Sequence, residues 1–544
     1  MDLPEPLPLA RETQSEKGQM MRMLTESFKT DVFRMAAAGV AAVALYAFGA
    51  TTALAETAKA GGTLVIAQDQ GPDKIDPHGP VMALQHNLIV NGPYEALLTF
   101  DGDFKIAPSL AREWVEESPT SYLFTLREGV KFHDGSPLTM EDVLFTFERI
   151  MNKERPSDAR VKMRMVKSVT AVGDWQVRFE LSAPSPAFLR YIAAPEVTGI
   201  VNKAFTLANN GDLSTVANGT GPFKISSFKA GIGIKYERFA DYWEKGLPYL
   251  DSIDLRIIPD DATRLAALRT GEIDMTFFRP DKQPLIKTLK GVVVSRPTPN
   301  AVEPLQMNCK VPPLDKLEVR QAIALSYDKT ALMKTVLPGG LAQPGLVIPA
   351  ADSIYGYKGD GTDLPYWQRD VEKAKALLAQ AGFPDGITLK MMYINTPAFA
   401  INNRIAEFMK QQSAEAGITI ELQPVEYATL LSSLSRQEFE LMTSGRGMYP
   451  DPEGSLSDIV SSNPRTACVD PKVDEMMAAA NSEPDMAKRA DLLIGVQKYL
   501  LEQAYWYVFF NNPLRIEVWK DDVKGYEPRP LLRRTSLRST WLDR

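Results

Sequence analysis

A chain of 544 residues, 44% of them apolar and 24% charged, exceeds what one hydrophobic core usually organises, so two or more lobes are expected. Its 61 Lys and Arg against 68 Asp and Glu give a net charge of −7. No basic cluster carries interleaved aromatics, which argues against nucleic-acid binding.

Near the start of the chain, Lys29 and Arg34 precede an uncharged, Ala- and Val-rich stretch from Met35 to Ala55 that closes on Ala53-Leu54-Ala55. A basic n-region, an apolar h-region and an A-x-A site make residues 1–55 a leader with a cleaved signal peptide, which predicts export into a bacterial periplasm. The stretch is also long enough for a membrane anchor, but its few large apolar residues weaken that reading. Gly62 to Ala67 reads as a buried opening strand. Tyr122, Phe124 and Leu126 alternate with Leu123, Thr125 and Arg127, the period of a strand with one buried face. Asp134-Gly135 is a turn pair, and Thr139 stands three residues before Asp142, a near match to a capping box. Val143, Phe147, Ile150 and Met151 then share one helical face. Val166–Val172 and Gln176–Leu181 read as a hairpin through Gly173-Asp174. Asp260 and Asp261 open a helix that Gly271 stops.

From about residue 300 the rhythm changes to regular alternation. Helices are expected at 318–336, 370–381, 402–416 and 427–435, with strands at 387–393, 418–422 and 439–443. This β-α-β succession argues a largely parallel sheet covered by helices. A long helix over 486–503 leads into a strand at 506–510, and 515–519 reads as the final strand. The Pro-rich run Arg296–Pro304 (RPTPNAVEP) is either a linker between sequential domains or the first of two crossings between lobes.

The run Leu126–Met151 (LREGVKFHDGSPLTMEDVLFTFERIM) resembles the signature of the extracytoplasmic solute-binding proteins of the dipeptide, oligopeptide and nickel type, family 5. Ser109–Trp114 (SLAREW), Gly219–Lys224 (GTGPFK), Leu268–Asp274 (LRTGEID), Val319–Asp328 (VRQAIALSYD) and Lys373–Phe383 (KAKALLAQAGF) extend the resemblance over most of the mature chain. It implies an α/β, two-lobed periplasmic-binding-protein fold of the large cluster-C type, with two interlobe crossings and a ligand cleft between the lobes. Lobe I would comprise 56–304 and 508–544, with lobe II inserted at 305–507. The implied function is the substrate-binding component of an ABC importer: a monomer without cofactor or metal that captures a peptide or peptide-like organic solute. It would deliver that solute to permease subunits in the inner membrane and catalyse nothing. A non-peptide anionic solute, opine-like or sugar-acid-like, is the alternative. Nickel or haem uptake is disfavoured by the sparse histidines, and a secreted hydrolase by the lack of G-x-S-x-G, H-E-x-x-H and P-loop motifs.

Ser444–Ser455 (SGRGMYPDPEGS) follows a strand and is rich in Gly and Pro, which places it on a loop at the sheet edge where α/β proteins bind ligands. Aligned on Asp451-Pro452, the resemblance puts Arg446 where the family often has Trp. It puts Met448 where peptide-binding members carry an Asp for the peptide α-ammonium. A buried ammonium needs a paired anion, so Met448 argues against ordinary recognition of a free peptide N-terminus. Arg446 would then offer a bidentate fork to a carboxylate or phosphate. The competing reading pairs it with Asp451, Glu453 or another acid. Tyr449 beside it, Met307-Asn308 next to the first crossing, and Tyr94 after the Asn91-Gly92-Pro93 turn complete the candidate ligand contacts, each also explicable as packing. Cys309 and Cys468 could pair in an oxidising compartment, but two cysteines carry no spacing code and free buried thiols are the default. His78 and His86 are a weak candidate metal pair, and His133 is expected to be a structural hydrogen-bonder.

Overall fold

In the computed structural model, residues 57–544 are described except 80–91, 103, 156, 297, 338, 353, 397–398, 464 and 529–534. The leader and signal peptide expected over 1–55 lie outside the described residues, as does His86. The opening strand, Thr63–Gln68 (β1), buries Leu64, Ile66 and Ala67 as its apolar run requires. Next comes a four-stranded antiparallel sheet of Ala111–Ser118 (β2), Ser121–Leu126 (β3), Val166–Ala171 (β4) and Gln176–Leu181 (β5), in the order β2-β3-β5-β4. Phe124 and Phe179 on its inner face pack against Phe147 and Ile150 of helix Met140–Met151 (α1) and Phe188 of Phe188–Ile192 (α2). The start of α1 is fixed as the sequence predicts, by the Asp142 carboxylate accepting from Thr139 N at 3.0 Å. His133 likewise fills its expected role, with Nε2 3.0 Å from Gly221 O.

The chain then lays down Phe223–Lys229 (β6), Gly233–Arg238 (β7), Ser252–Ile257 (β8), Met275–Phe278 (β9) and Val292–Val294 (β10). Between β8 and β9 the predicted helix spans Asp261–Thr270, with the Asp260 side chain accepting from Thr263 N at 2.7 Å and Gly271 ending it at φ 78°. The second lobe is built on Ala301–Met307 (β11), Ile387–Ile394 (β12), Ile418–Val425 (β13), Leu441–Thr443 (β14), Arg446–Gly447 (β15) and Trp506–Asn512 (β16). Helices Ala400–Ser413 (α3) and Met486–Glu502 (α4) flank this sheet. The chain finally returns as Ile516–Lys520 (β17), which slots between β10 and β9 to complete a seven-stranded sheet in the order β10-β17-β9-β1-β8-β7-β6.

Two crossings therefore join the lobes. They lie just before Ala301 and just after Asn512, because β11 and β16 pair along their length from Ala301↔Asn512 to Gln306↔Trp506. The second sheet thus extends past the expected limits of 305 and 507. Pro304, which reads as a strand breaker, is accommodated at a register shift between Glu303 and Pro304. This sheet is also less parallel than the alternation suggests: β12 runs parallel to β13 and β14, whereas the central β11 is antiparallel to β14, β15 and β16. The helix expected over 318–336 is two, Leu317–Leu325 and Lys329–Val336, because Asp328 leaves helical geometry to cap the second by accepting from Ala331 N. Cys309 and Cys468 form a disulfide with Cα atoms 5.0 Å apart, which overturns the default of free thiols. No helix among the described residues is long and apolar enough to cross a membrane.

Candidate functional site

A pocket opens where the lobes face each other beside the crossings. Arg279, Pro280 and Asp281, just past β9, form the lobe I wall; Glu303, Phe399, Asn402 and Gly445 come from lobe II, and Asn512 from the return crossing. Strand alternation explains why Glu303 and Asn512 share this wall. Asn512 stands directly across from Ala301 and Glu303 two positions along from Ala301, so they share a face, whereas the pair Val302 and Asn511 takes the opposite one. Glu303 is only 5% exposed, accepts from Asn402 Nδ2 at 3.1 Å and is hydrogen-bonded by Asn512. Burial pushes its carboxyl up to about 8, against the opposing pull of these amides and of Arg279. Arg279 itself donates to Asp69 at 3.2 Å and lies over the Phe399 ring at 5.8 Å, a contact that spans the lobes. Asp281 is approached from lobe II by Arg404 at 3.7 Å.

The proposed ligand loop does reach this pocket, but through Gly445 rather than Arg446. Arg446 lies opposite Val302 on β15 and so points to the other face, where it contacts Asp458 at 2.5 Å and the Trp506 ring at 4.5 Å. Its guanidinium is already committed, to an acid not among the two named as its partners. Asp451 is fully buried and held by Arg489 through two bonds of 2.8 and 2.9 Å, while its carboxylate caps the turn at Glu453 N. Burial acts to raise its carboxyl, but Arg489, with Arg190 3.6 Å away, holds it below the usual carboxylate range. Met448 and Tyr449 are half-buried beside the first crossing, with Met448 N donating to Asn300 O at 2.8 Å.

The other candidates belong to the core. Met307 and Asn308 sit at the far end of β11 from the crossing, and Asn308 Nδ2 is consumed by the carbonyls of Gln437 and Phe439, both at 2.9 Å. Tyr94 is 1% exposed and packs on Val201 and Leu213. His78 is likewise spent, between Gly199 O at 2.8 Å and Arg149 at 2.7 Å, and burial drives its pKa down to about 3. Among the described residues no group of three or more His, Cys, Asp or Glu is placed to hold a metal ion. Glu303, Asn402, Asn512 and Arg279 escaped the sequence reading; the signal for the first was present, an acid inside the RPTPNAVEP run at the crossing.

The family model of bacterial extracellular solute-binding proteins, family 5, matches residues 105–467, more than half of the chain. The chain belongs to this family. This family 5 protein is 27% identical over 523 residues to di/tripeptide-binding protein 2 of Pseudomonas aeruginosa, covering 90% of its own length and 96% of that relative. Among solved structures it is similar to the ABC transporter-associated periplasmic binding protein DppA from Helicobacter pylori in complex with peptide STSA (TM-score 0.76, 25% identity, 89% of this chain and 99% of that one). It is equally similar to AgaA of A. tumefaciens R10 in complex with agropinic acid, at the same TM-score, identity and coverage. The solute-binding fold is two-lobed and α/β, and the pocket beside its crossings presents charged and polar groups from both lobes to whatever lies between them.

Proposed function

We propose that this family 5 protein is the periplasmic receptor of an ABC importer, capturing a peptide or peptide-like organic solute and handing it to permease subunits in the inner membrane. The observation that carries the reading is the pocket at the two crossings, whose walls come from opposite lobes: Arg279 and Asp281 on one side, Glu303 and Asn402 on the other. A guest touching both walls binds the closed form better than the open one and so shifts the hinge toward closure. The closed form then serves as the docking signal for the permease. Nothing in this cycle requires the receptor to make or break a covalent bond. Peptides are preferred because relatives that match nearly the whole chain carry di/tripeptide- and dipeptide-binding names. The second reading, an anionic opine-like solute, is favoured by the likeness to AgaA with agropinic acid.

The test is a thermal-shift and calorimetric screen of the mature protein with di- and tripeptides, glutathione and agropinic acid. A micromolar ligand corresponds to about 8 kcal/mol of binding free energy. At one hundred times its Kd it would raise stability by about 2.7 kcal/mol, a shift of several degrees with the compound recovered unchanged. Peptides that leave the melting curve in place while agropinic acid moves it would transfer the reading to the second class. Conversion of a compound to product would overturn receptor function altogether.

A further inference from the structure

We infer that the outer edge of lobe I, from Leu285 to Arg296, is a docking surface for a membrane leaflet of anionic phospholipid. It lies outside the solute pocket, so it stands whichever solute is captured. Residues 283–302 hold three cations, Lys287, Lys290 and Arg296, and no acid, although acids make up 68 of the 544 residues. All three are exposed, and none has a carboxylate partner among the described residues. Lys282, just before the run, is by contrast spent on Asp281 and Asp261 at 3.4 and 3.7 Å. Arg269 and Lys520 add two further cations to the same edge. The acids of the neighbouring turns are largely paired: Asp274 and Asp522 with Arg544 at 2.7 and 3.2 Å, and Glu272 with Arg256 at 3.5 Å. Asp521, exposed beside Gly291, faces these cations, and the surface remains net positive on a chain of net charge −7.

Apolar side chains stand among the charges. Leu285, Val293 and Val294 are 46%, 40% and 42% exposed. The valines belong to β10, the edge of the seven-stranded sheet, which pairs with β17 alone. A strand met edge-on exposes both of its faces, which is why two successive side chains reach solvent here. Short edge strands often carry charge as a guard against aggregation, but such a guard sits on the strand itself. Here the strand is Val-Val-Val and the cations flank it. Three residues offer too few ladder bonds to template a partner strand, and a second copy would set like charge against like. An anionic leaflet satisfies both halves at once: its headgroups pair with the cations while Leu285 and the valines enter the interface. An open groove of about 490 Å³ between the end of helix Asp261–Thr270, the turn before β10 and Lys520 gives a headgroup phosphate its place among Arg269, Lys290 and Lys520. Arg269 is held at this groove by donating to Thr288 Oγ1 at 2.9 Å. For a receptor that serves a membrane permease, such adsorption confines the search to the plane in which the permease lies.

Vesicle flotation of the mature protein tests this without any solute, so its failure leaves the receptor reading untouched. The probes are vesicles of phosphatidylglycerol mixed with phosphatidylethanolamine, and vesicles of phosphatidylcholine alone. Circular dichroism and melting curves establish that each variant is folded. Wild type should partition onto the anionic vesicles at about 50 mM salt, ignore the neutral ones, and lose at least about 10-fold in partitioning at about 500 mM. Lys287→Gln/Lys290→Gln should weaken partitioning about 5-fold for each charge lost, so about 25-fold for the pair. Lys373→Gln/Lys410→Gln, which removes the same charge from exposed positions on lobe II, should stay within about 2-fold of wild type. Val293→Thr/Val294→Thr keeps the β-branched edge and should weaken partitioning about 5-fold at low salt. Absence of wild type from the anionic vesicles at low salt overturns the proposal, as does equal loss in the two lysine pairs. Binding of polyglutamate that depends on Lys287 and Lys290, with the vesicles ignored, would assign the surface to an acidic protein and equally overturn it.

Discussion

Glu303 carries its own consequence at the scale of one residue. Its carboxyl in the folded protein titrates near 8 instead of the ordinary 4.5, burial being the largest cause, with Asn402, Arg279 and Asn512 pulling the other way. A raised carboxyl pKa means the fold prefers the neutral form. The associated stability is present in full below about 4.5 and is lost as pH climbs through 8. Glu303→Gln removes that titration while keeping the shape. In the absence of solute the variant should therefore gain on wild type between pH 5 and pH 9, by on the order of a few kcal/mol. Urea unfolding at the two pH values measures it, and parallel curves for the two proteins would show that Glu303 is ionised in the fold at neutral pH. This residue was hard to find in the sequence because its partners stand 99 and 209 positions away, and because Pro304 and its neighbours mask the strand it belongs to. Arg446 illustrates the reverse: its loop was legible as the cleft edge, but a one-residue step along a strand sends the side chain to the other face, where Asp458 and Trp506 take it.

At the scale of elements, β11 is the organising piece of the second lobe. It begins at the crossing, pairs with β14, β15 and β16, and ends beside Cys309. The disulfide from Cys309 to Cys468 ties that end to the loop that follows the Ser444–Ser455 segment, closing a separation of 159 residues. Closing so long a loop chiefly restricts the unfolded chain, so its loss should cost about 2–5 kcal/mol. The double variant Cys309→Ser/Cys468→Ser is expected to unfold at lower urea by that amount and to retain solute affinity, since the bridge lies at the opposite end of β11 from Glu303. An affinity loss at unchanged stability would contradict this division of labour. Most elements were readable from period and caps, as with the helix from Asp261 to Thr270 between its Asp260 cap and Gly271. What was not readable was pairing. The antiparallel centre of the second sheet depends on β16 returning across two hundred residues of chain, and local pattern says nothing of it.

Across the whole molecule, the lobes touch at a second place, remote in sequence from the crossings. Arg190 on α2 reaches over to donate from Nε to Pro450 O at 2.5 Å, and it stands 3.6 Å from Asp451 and 3.7 Å from Asp352. Its guanidinium is sandwiched between the ring of Phe104 on its own lobe, at 4.8 Å, and that of Tyr355 on the other, at 5.8 Å. Arg164 makes a neighbouring bridge to Glu453. These contacts exist only while the lobes are together, so they weigh the hinge equilibrium toward closure before any guest arrives. Asp451 keeps its two direct hydrogen bonds without Arg190, because these come from Arg489 within its own lobe. Arg190→Met should therefore spare the fold and act on the hinge alone. A charge-assisted hydrogen bond contributes roughly 1.5–3 kcal/mol. Losing it lowers the population of the closed form, and apparent affinity falls in proportion to that population. The variant should show a larger radius of gyration without solute, a 10- to 100-fold weaker apparent Kd, and the wild-type radius once saturated. A weaker Kd with superimposable scattering curves would place Arg190 in direct contact with the solute instead; unchanged Kd and unchanged curves would mean that the crossings and the pocket alone govern closure.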